Sequence, residues 1–216
     1  MPAPPPAPGA ISAIRELARR AGRYAVEVGG GVLLPVSVET IAECRLQVGR
    51  TVDGEVLARL LAASAMTRCF DHALDALARR GRATRELERW LEARDHPREA
   101  IGAAVERLTA LGLLDDVRFA EAYVAGPARA KGFGVRRVAA ELRRRGVPAA
   151  IVARALAQED DVHAHATLEA AAARRARALR SLAPEVAQRR LIGWLVRRGF
   201  APGAATRAAR AALAGP

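Results

Sequence analysis

Residues 115–146, DDVRFAEAYVAGPARAKGFGVRRVAAELRRRG, decide the fold of this chain. Their second half predicts an amphipathic helix, because at about 100° per residue Val135, Val138 and Leu142 fall on one face. Gly146 directly follows the apolar pattern, at the position where a left-handed residue often ends a helix. The stretch therefore predicts a helix with one buried side and a sharp end.

The other side of this predicted helix is almost entirely arginine. Arg136 stacks over Arg143, and Arg137 over Arg144, in two columns that we expect to face outward. Arginines on a helix are also an ordinary solvated surface, above all in an arginine-rich chain. A single such helix therefore does not establish a binding surface, and recurrence of the pattern is needed.

The pattern of this helix also occurs 51 residues before it and 53 residues after it. The matching apolar pairs are Leu87 and Leu91, Val138 and Leu142, and Leu191 and Leu195. The matching arginines are Arg85, Arg136 and Arg189 in one register, and Arg94, Arg145 and Arg198 in another. Units of this size bury little surface alone, so neighbouring units are expected to dock on one another.

We therefore predict a predominantly α-helical fold of tandem three-helix repeats in an elongated array, with a small N-terminal β-hairpin unit. The three repeats are expected at 64–112, 113–158 and 159–216, and the hairpin unit at 23–63. The hairpin is indicated by two short alternating segments around a triple glycine. Residues 1–22, which begin with a proline-rich run, are predicted to be a disordered or weakly helical tail.

The composition indicates a helical protein with a polyanionic or acidic partner. The 216 residues are 51% hydrophobic and only 4% aromatic, which suits a core of Ala, Leu and Val on helices. Lysine and arginine total 35 against 23 acidic residues, a formal net charge of +12, and Lys131 is the only lysine. Such a charge favours nucleic acid, an acidic protein groove or a membrane surface, and it does not distinguish among them.

The patterns of cysteine, histidine and hydropathy predict no disulfide, no metal site and no cofactor. Cys44 and Cys69 are isolated, which favours free thiols in a reducing compartment. His163 and His165 lie about 200° apart on a helix, a poor geometry for chelation. There is no run of 18 apolar residues and no signal-peptide pattern, so the expected location is the cytoplasm.

An enzyme is the class of protein that the sequence supports least. The carboxylates that could hold Mg²⁺ in a nuclease are Asp115, Asp116, Glu159, Asp160 and Asp161. Each cluster lies between predicted helical units, where capping is the ordinary role of acidic residues. The triple glycine of the hairpin lacks the Lys-Ser/Thr pair of a phosphate-binding loop. We therefore predict a binding protein.

Two segments of the second repeat resemble the RecX family, whose members regulate the RecA recombinase. LGLLDDVRFAEAYV at 111–124 is similar to the family's Leu-Asp-Asp-x-Arg-Phe-Ala motif, and KGFGVRRVAAELRRRGV at 131–147 to its Gly…Arg…Glu-Leu…Gly pattern. The motif residues, which we expect to be mostly structural, are Asp115, Asp116, Arg118, Phe119, Tyr123, Gly132, Leu142 and Gly146. The family also tends to have an arginine soon after the Tyr-Val pair, and here Arg129 stands at a shifted position.

The resemblance covers about 64–213 and implies a non-enzymatic regulator that lies in the groove of the RecA filament on single-stranded DNA. It implies a role in DNA repair, recombination and the SOS response. We expect inhibition of filament assembly and of its ATPase and strand-exchange activity. The implied partners are RecA and single-stranded or double-stranded DNA, bound through phosphates, and the chain is expected to be a monomer without membrane contact.

The candidate contact residues for the recombinase or for DNA are basic. They are Arg136, Arg137, Arg143, Arg144, Arg189, Arg190, Arg197, Arg129 and Lys131. The same residues would suit an autonomous DNA-binding protein without sequence specificity, since no basic helix carries the Asn or Gln of direct base readout. Both interpretations stay open on the sequence.

Overall fold

The computed structural model of the protein describes residues 7–18, 20–30, 32–128, 130–158 and 161–214. The elements belong to two compact units. The first comprises Met1–Gly81 and Leu87–Leu113, and the second comprises Arg82–Glu86 and Leu114–Pro216. The predicted fold, predominantly helical with a small N-terminal strand unit, is confirmed.

The first unit begins with an antiparallel sheet that has four strands among the described residues. They are β1 (Gly9–Glu16), β2 (Arg23–Val28), β3 (Val32–Ser37) and β4 (Thr51–Val52), in the order β3-β2-β1-β4. Gly29 and Gly30, with φ of 62° and 93°, lie in the predicted glycine turn between β2 and β3. Pro35 lies in the edge strand β3, the kind of strand in which proline is tolerated.

The prediction of a disordered or weakly helical tail is wrong for residues 9–16, and residues 1–6 of that predicted tail lie outside the described residues. Gly9–Glu16 form β1, an inner strand of the sheet, in which Ile11 pairs with Val28 and is almost completely buried. The partner strand comes later in the chain, so long-range pairing and burial stabilise β1 where the local pattern does not. The predicted hairpin is accordingly only half of the sheet, because β1 and β4 complete it.

Helices complete the first unit. They are α1 (Val38–Glu43), α2 (Gly54–Arg79), α3 (Thr84–Glu92), whose first turn belongs to the second unit, and α4 (Arg98–Ala110). Asp53 caps α2 by accepting a hydrogen bond from the Val56 N–H at 2.8 Å. Leu57 and Leu60 of α2 then enter the core of the sheet. Because α2 is continuous over 26 residues, the predicted boundary between 63 and 64 falls inside a helix.

The second unit contains the helices of the second and third predicted repeats. They are α5 (Asp116–Tyr123), a π-helical turn (Val124–Ala128), α6 (Val135–Arg145), α7 (Ala149–Ala157), α8 (Asp161–Arg177), α9 (Pro184–Arg197) and α10 (Pro202–Ala214). Leu142 lies in a core formed by α5, α6 and α7, and Leu191 and Leu195 in a core formed by α8, α9 and α10. No helix in the described ranges is long and apolar enough to cross a membrane.

Two details of the side chains complete the comparison with the sequence. Val138 and Leu142 are buried as predicted, but Val135 at the start of α6 is 45% exposed, so the apolar face begins one turn later than expected. Cys44 and Cys69 are free thiols, as predicted, and burial raises the pKa of Cys69 to about 11.

Candidate functional site

The two adjacent aspartates of the family motif, Asp115 and Asp116, each accept hydrogen bonds at the start of a helix. Asp115 caps α5, accepting hydrogen bonds from two backbone N–H groups at 2.8 and 3.0 Å. Asp116 instead accepts from the backbone N–H of Thr84 at 2.8 Å and lies 3.2 Å from its hydroxyl, at the start of α3. Both carboxylates are therefore used for capping.

No metal centre is found among the described residues, where no group of three or more His, Cys, Asp or Glu side chains could hold an ion. Glu159 and Asp160, which we considered as possible Mg²⁺ ligands, lie outside the described residues, as does the candidate contact residue Arg129.

The aromatic residues of the motif pack inside the second unit. Phe119 and Tyr123 stack with their ring centroids 6.4 Å apart, and Tyr123 is buried. The Arg145 guanidinium lies 5.0 Å from the Tyr123 ring centroid and forms a 3.3 Å ion pair with Glu86 in the first turn of α3. Arg145 therefore has a packing role, while Arg118 of the motif is exposed.

The N-terminus of α6 meets the C-terminal end of α9. The Gly134 N–H donates to the Arg198 carbonyl at 2.8 Å, and the Arg136 N–H to the Gly199 carbonyl at 3.2 Å. Gly199 has a φ of 92°, and a Cβ there would lie only 2.3 Å from the backbone nitrogen of Arg137. Glycine is therefore required by both the conformation and the close approach.

The C-terminal end of α6 makes an equivalent contact. Gly146 has a φ of 95°, and a Cβ there would lie 2.2 Å from the Cβ of Arg85 in the first turn of α3. Gly146 and Gly199 are matching positions in the repeat. The second unit thus contains the same contact twice, a C-terminal glycine of one helix against the first turn of another.

The outer side of α6 carries the predicted arginine columns. Arg136, Arg137, Arg143 and Arg144 are all exposed, and we call them the α6 arginine face. Arg144 forms a 2.6 Å ion pair with Glu141 on the same helix. The outward direction of the four side chains is as predicted, and the face is strongly basic.

A second group of cations lies around Phe133 and Trp194, and we call it the junction cluster. Its members are Lys131, Arg137, Arg174, Arg175 and Arg198. The Phe133 centroid lies 4.3 Å from the Arg137 guanidinium and 5.3 Å from that of Arg198, which is also 4.5 Å from the Trp194 ring. Such distances are typical of cation–π contacts. Arg137 therefore belongs to both basic surfaces.

Arg198 is the most buried cation of the junction cluster. It donates hydrogen bonds to the carbonyls of Lys131 and Gly132, the latter at 3.1 Å. Burial, followed by the charges of Arg174 and Arg137, lowers the pKa of Arg198. Its partners in the described residues are carbonyls and aromatic rings, so the positive charge of the cluster is retained.

The predicted arginines of the third repeat lie together in a groove on α9. The α9 groove has a volume of about 570 Å³ and is lined by Arg175, Val186, Arg189, Arg190, Gly193, Trp194 and Arg197. Arg189, Arg190 and Arg197 are exposed. Arg175 comes from α8, and its guanidinium lies 5.8 Å from the Trp194 ring centroid.

Phe133 and Gly193 belong to the basic surfaces but were not predicted from the sequence. Arg189, Gly193 and Arg197 are spaced i, i+4 and i+8, which places them on one side of a helix and could have indicated an open strip between two arginines. Phe133 lies between Lys131 and Arg137 in the sequence. Such an alternation of aromatic and basic residues can be seen in the sequence, but by itself it is only a weak indication of a basic surface.

Two models of known family domains match the chain. The model of the RecX second three-helix domain matches residues 115–156, and that of the RecX first three-helix domain matches residues 69–108. The α6 arginine face lies inside the first of these matches, whereas the α9 groove lies outside both.

Relatives named "Regulatory protein RecX" also match the chain. The protein from Levilactobacillus brevis is 33% identical over 138 residues, which cover 64% of this chain and 52% of the relative. The chain therefore spans about half the length of that relative. The protein from Thermobifida fusca is 38% identical over 140 residues, covering 65% of this chain and 76% of the relative.

A solved structure described as the crystal structure of regulatory protein RecX has the same fold. It superposes with a TM-score of 0.72 at 22% identity, over 90% of this chain and 96% of that one. At this identity the superposition supports the fold alone. The domain matches and the Thermobifida relative lead to one conclusion: the chain belongs to the RecX family of regulatory proteins.

Proposed function

We propose that the protein is a non-enzymatic regulator that binds the RecA recombinase filament on single-stranded DNA and inhibits its assembly, ATPase and strand-exchange activity. The observation that carries the proposal is the α6 arginine face, four exposed cations inside the segment matched by the RecX second-domain model. Family membership supplies the class of partner, and the exposed charge supplies the surface that would contact it.

The physical argument rests on many weak contacts. An exposed arginine gains little from one ion pair in water, about 1 kcal/mol or less. Cations spread over neighbouring helices can bind a repetitive anionic partner at several points, and each further contact then forms within an existing complex. A filament with DNA along its axis is such a partner.

The first test measures ATP hydrolysis by RecA on single-stranded DNA, titrated with the protein. We expect hydrolysis to fall at protein concentrations well below those that saturate the same DNA without RecA. If hydrolysis falls only as the protein coats the strand, then competition for DNA explains the effect and the proposal is wrong.

The second test reverses charges on the α6 arginine face. Arg136→Glu with Arg143→Glu should raise the concentration needed for half inhibition by about tenfold or more, because like charges then oppose the partner's anionic groups. Arg207→Glu with Arg210→Glu on α10 is the matched control, since both residues are exposed and lie outside the basic surfaces. Circular dichroism should show unchanged helix content in both variants.

An autonomous, sequence-nonspecific DNA-binding protein is the second candidate. The junction cluster favours it, because its charge is held by aromatic rings and carbonyls and needs no protein partner to organise it. Tight binding to naked DNA with a steep salt dependence and no selective effect on RecA would support this alternative.

Three further properties belong to the same proposal. We infer that the protein works as a monomer, in the cytoplasm, and within DNA repair, recombination and the SOS response. Analytical ultracentrifugation checks the oligomeric state directly. A sedimentation coefficient typical of a dimer at micromolar concentration would contradict the first of these properties.

A further inference from the structure

A cavity in the first unit carries both signs of charge, unlike the basic surfaces of the second unit. It lies among α1, α2 and α4 and has a volume of about 260 Å³. Glu43 of α1 and Arg107 of α4 are exposed, and both line it. No ion pair among the described residues involves either side chain. An acidic and a basic group therefore border the same space without neutralising each other.

Arg107 is the cation of this cavity that a ligand can use. Its guanidinium lies 4.7 Å from the centroid of the Phe70 ring, a distance typical of a cation–π contact. Such a contact leaves the N–H groups of the guanidinium available as donors to a carboxylate. Arg23 also lines the cavity, but Asp71 neutralises it through an ion pair of 3.2 Å. The positive end of the site is therefore Arg107.

Helix α1 supplies the negative side of the cavity. Glu39 and Glu43 are four residues apart on it, about one turn. A hydrogen bond with the Ser37 side chain lowers the pKa of Glu39, and the charge of Arg107 lowers it further, so the field of Arg107 reaches α1. The hydroxyls of Ser37 and Thr40, 3.3 Å apart, also line the cavity and supply neutral acceptors. A positively charged group of a ligand therefore finds its partners on this side.

The remaining lining of the cavity is largely apolar. Phe70 of α2 and Ala104 of α4 are buried, whereas Met66 of α2 is 44% exposed. An apolar group of a ligand would remove this surface from water, which is favourable. The volume is slightly below the range of about 300–1,000 Å³ that is typical of sites for drug-sized ligands. The cavity therefore suits one small molecule with an apolar part.

The two charges make a simple ion a poor ligand for the cavity. An anion that contacts Arg107 would be repelled by Glu43, and a cation that contacts Glu43 would be repelled by Arg107. A zwitterion is attracted by both residues, because its carboxylate and its ammonium each find a partner of opposite charge. An α-amino acid carries both groups on one carbon, and its side chain can cover the apolar lining.

We propose that this cavity, which we call the α1–α4 site, binds a free α-amino acid with an apolar side chain. Arg107 binds the carboxylate, Glu43 binds the ammonium group, and the side chain of the ligand packs on Phe70 and Met66. The bound amino acid joins α1 to α4, so it stabilises the first unit in proportion to its free concentration. The site shares no residue with the basic surfaces, so it can fail or hold independently of the function proposed above.

The test titrates the ¹⁵N-labelled full chain with L-leucine and follows the backbone amide resonances by NMR. We expect saturable shifts of the amides at 40–43 and 103–107, with a Kd of about 1 mM or lower. Leucinol lacks the carboxylate, and 4-methylpentanoate lacks the ammonium group. Each should bind about tenfold more weakly than leucine, because it leaves one charge of the site without a partner.

Two substitutions identify which residue binds which group of the ligand. Arg107→Gln should weaken leucine binding by about tenfold and leave leucinol binding unchanged, since leucinol has no carboxylate to lose its partner. Glu43→Gln should likewise weaken leucine binding, and it should leave the affinity for 4-methylpentanoate unchanged or higher. The matched controls are Arg98→Gln and Glu106→Gln, which remove the same charges from exposed positions of α4 that do not line the cavity.

Three results would overturn the proposal. The first is the absence of saturable shifts with leucine up to about 20 mM. The second is an analogue that binds as tightly as leucine, which would indicate a site for a simple ion. The third is a control that weakens leucine binding as much as its partner variant does. Circular dichroism without ligand identifies a folding defect, and Arg107→Lys, which keeps the charge, should bind leucine more tightly than Arg107→Gln does.

Discussion

At the scale of single residues, Asp115 and Asp116 are neighbours with different tasks. Asp115 caps its own helix, whereas Asp116 reaches back 32 positions in the sequence to Thr84 at the start of α3. The pair thus fixes α5 locally and joins it to the segment that opens α3. A motif that suggests metal binding in the sequence is explained here by backbone N–H groups that need an acceptor.

Removing the Asp116 carboxylate should destabilise the second unit. Asp116→Ala leaves the Thr84 N–H without its acceptor, and a lost helix cap typically costs about 1–2 kcal/mol. Asp116→Asn keeps an acceptor oxygen and should cost less than half as much. Urea denaturation followed by Trp194 fluorescence, in a Trp90→Phe background, measures both. Equal losses for the two variants would contradict a capping role.

The histidine pair of the first unit should make its stability depend on pH. His72 Nδ1 and His96 Nε2 are 2.8 Å apart. Desolvation, followed by the charges of His72, Arg68 and Arg94, lowers the pKa of His96, and Asp95 opposes them only partly. At low pH the unfolded chain therefore takes up a proton at His96 more readily than the folded unit does. The free energy of unfolding of the first unit should fall as the pH drops below about 6.5.

The measurement compares urea midpoints at pH 7.5 and 5.5, followed by Trp90 fluorescence in a Trp194→Phe background. His96→Gln should reduce the loss of stability at pH 5.5, because the amide does not titrate. His165→Gln on α8, an exposed position, should leave the loss in place. If the His96→Gln variant loses as much stability at pH 5.5 as the unsubstituted protein, groups other than His96 cause the loss.

At the scale of secondary-structure elements, the contact between α6 and α9 depends on a residue without a side chain. Gly199→Ala should destabilise the second unit by about 2 kcal/mol or more, since it combines a left-handed φ with a Cβ placed 2.3 Å from backbone. Gly102→Ala in α4 is the control, because a Cβ there meets nothing within 4 Å.

For the control, we expect a gain of about 0.5–1 kcal/mol from helix propensity. Thermal unfolding by circular dichroism, together with the fluorescence of each tryptophan alone, assigns the change to its unit. If Gly199→Ala leaves the stability of the second unit unchanged, the end of α9 can move away from α6 at little cost in free energy.

The elements that could be predicted from the sequence are those with local causes. Helix α6 combines a helical apolar period with a glycine end, and its bounds were anticipated within about one turn. Strand β1 could not be predicted, because its stability comes from pairing with β2 and from the burial of Ile11. The predicted boundary between 63 and 64 divides helix α2, because the repeat period does not mark where a helix ends.

At the scale of the whole molecule, the net charge of +12 is less informative than where the cations lie. If the four groove arginines each contact a phosphate, binding of oligothymidylate should weaken by about fiftyfold between about 50 and 200 mM KCl. Anisotropy titrations at the two salt concentrations measure this ratio. A change of less than about fivefold would leave no room for four phosphate contacts.

The candidate surfaces differ in how far the sequence could indicate them. The α6 arginine face follows from a helical wheel, since one helix supplies all of it. The α9 groove needs Arg175 from a preceding helix and the cation–π contacts of Trp194, and these depend on how helices pack. Periodicity within one element carries no information about that packing.

The two glycine contacts of the second unit also bear on how such a chain can grow. Gly146 and Gly199 are matching positions of successive repeats, and each lies against the first turn of a middle helix, at Arg85 and at Arg137, which differ by one position in the repeat register. The second repeat carries both halves of this joint, whereas the first repeat carries Asp95 at the glycine position. Duplication or deletion of a repeat like the second one would therefore keep a glycine against a first helix turn at every remaining joint.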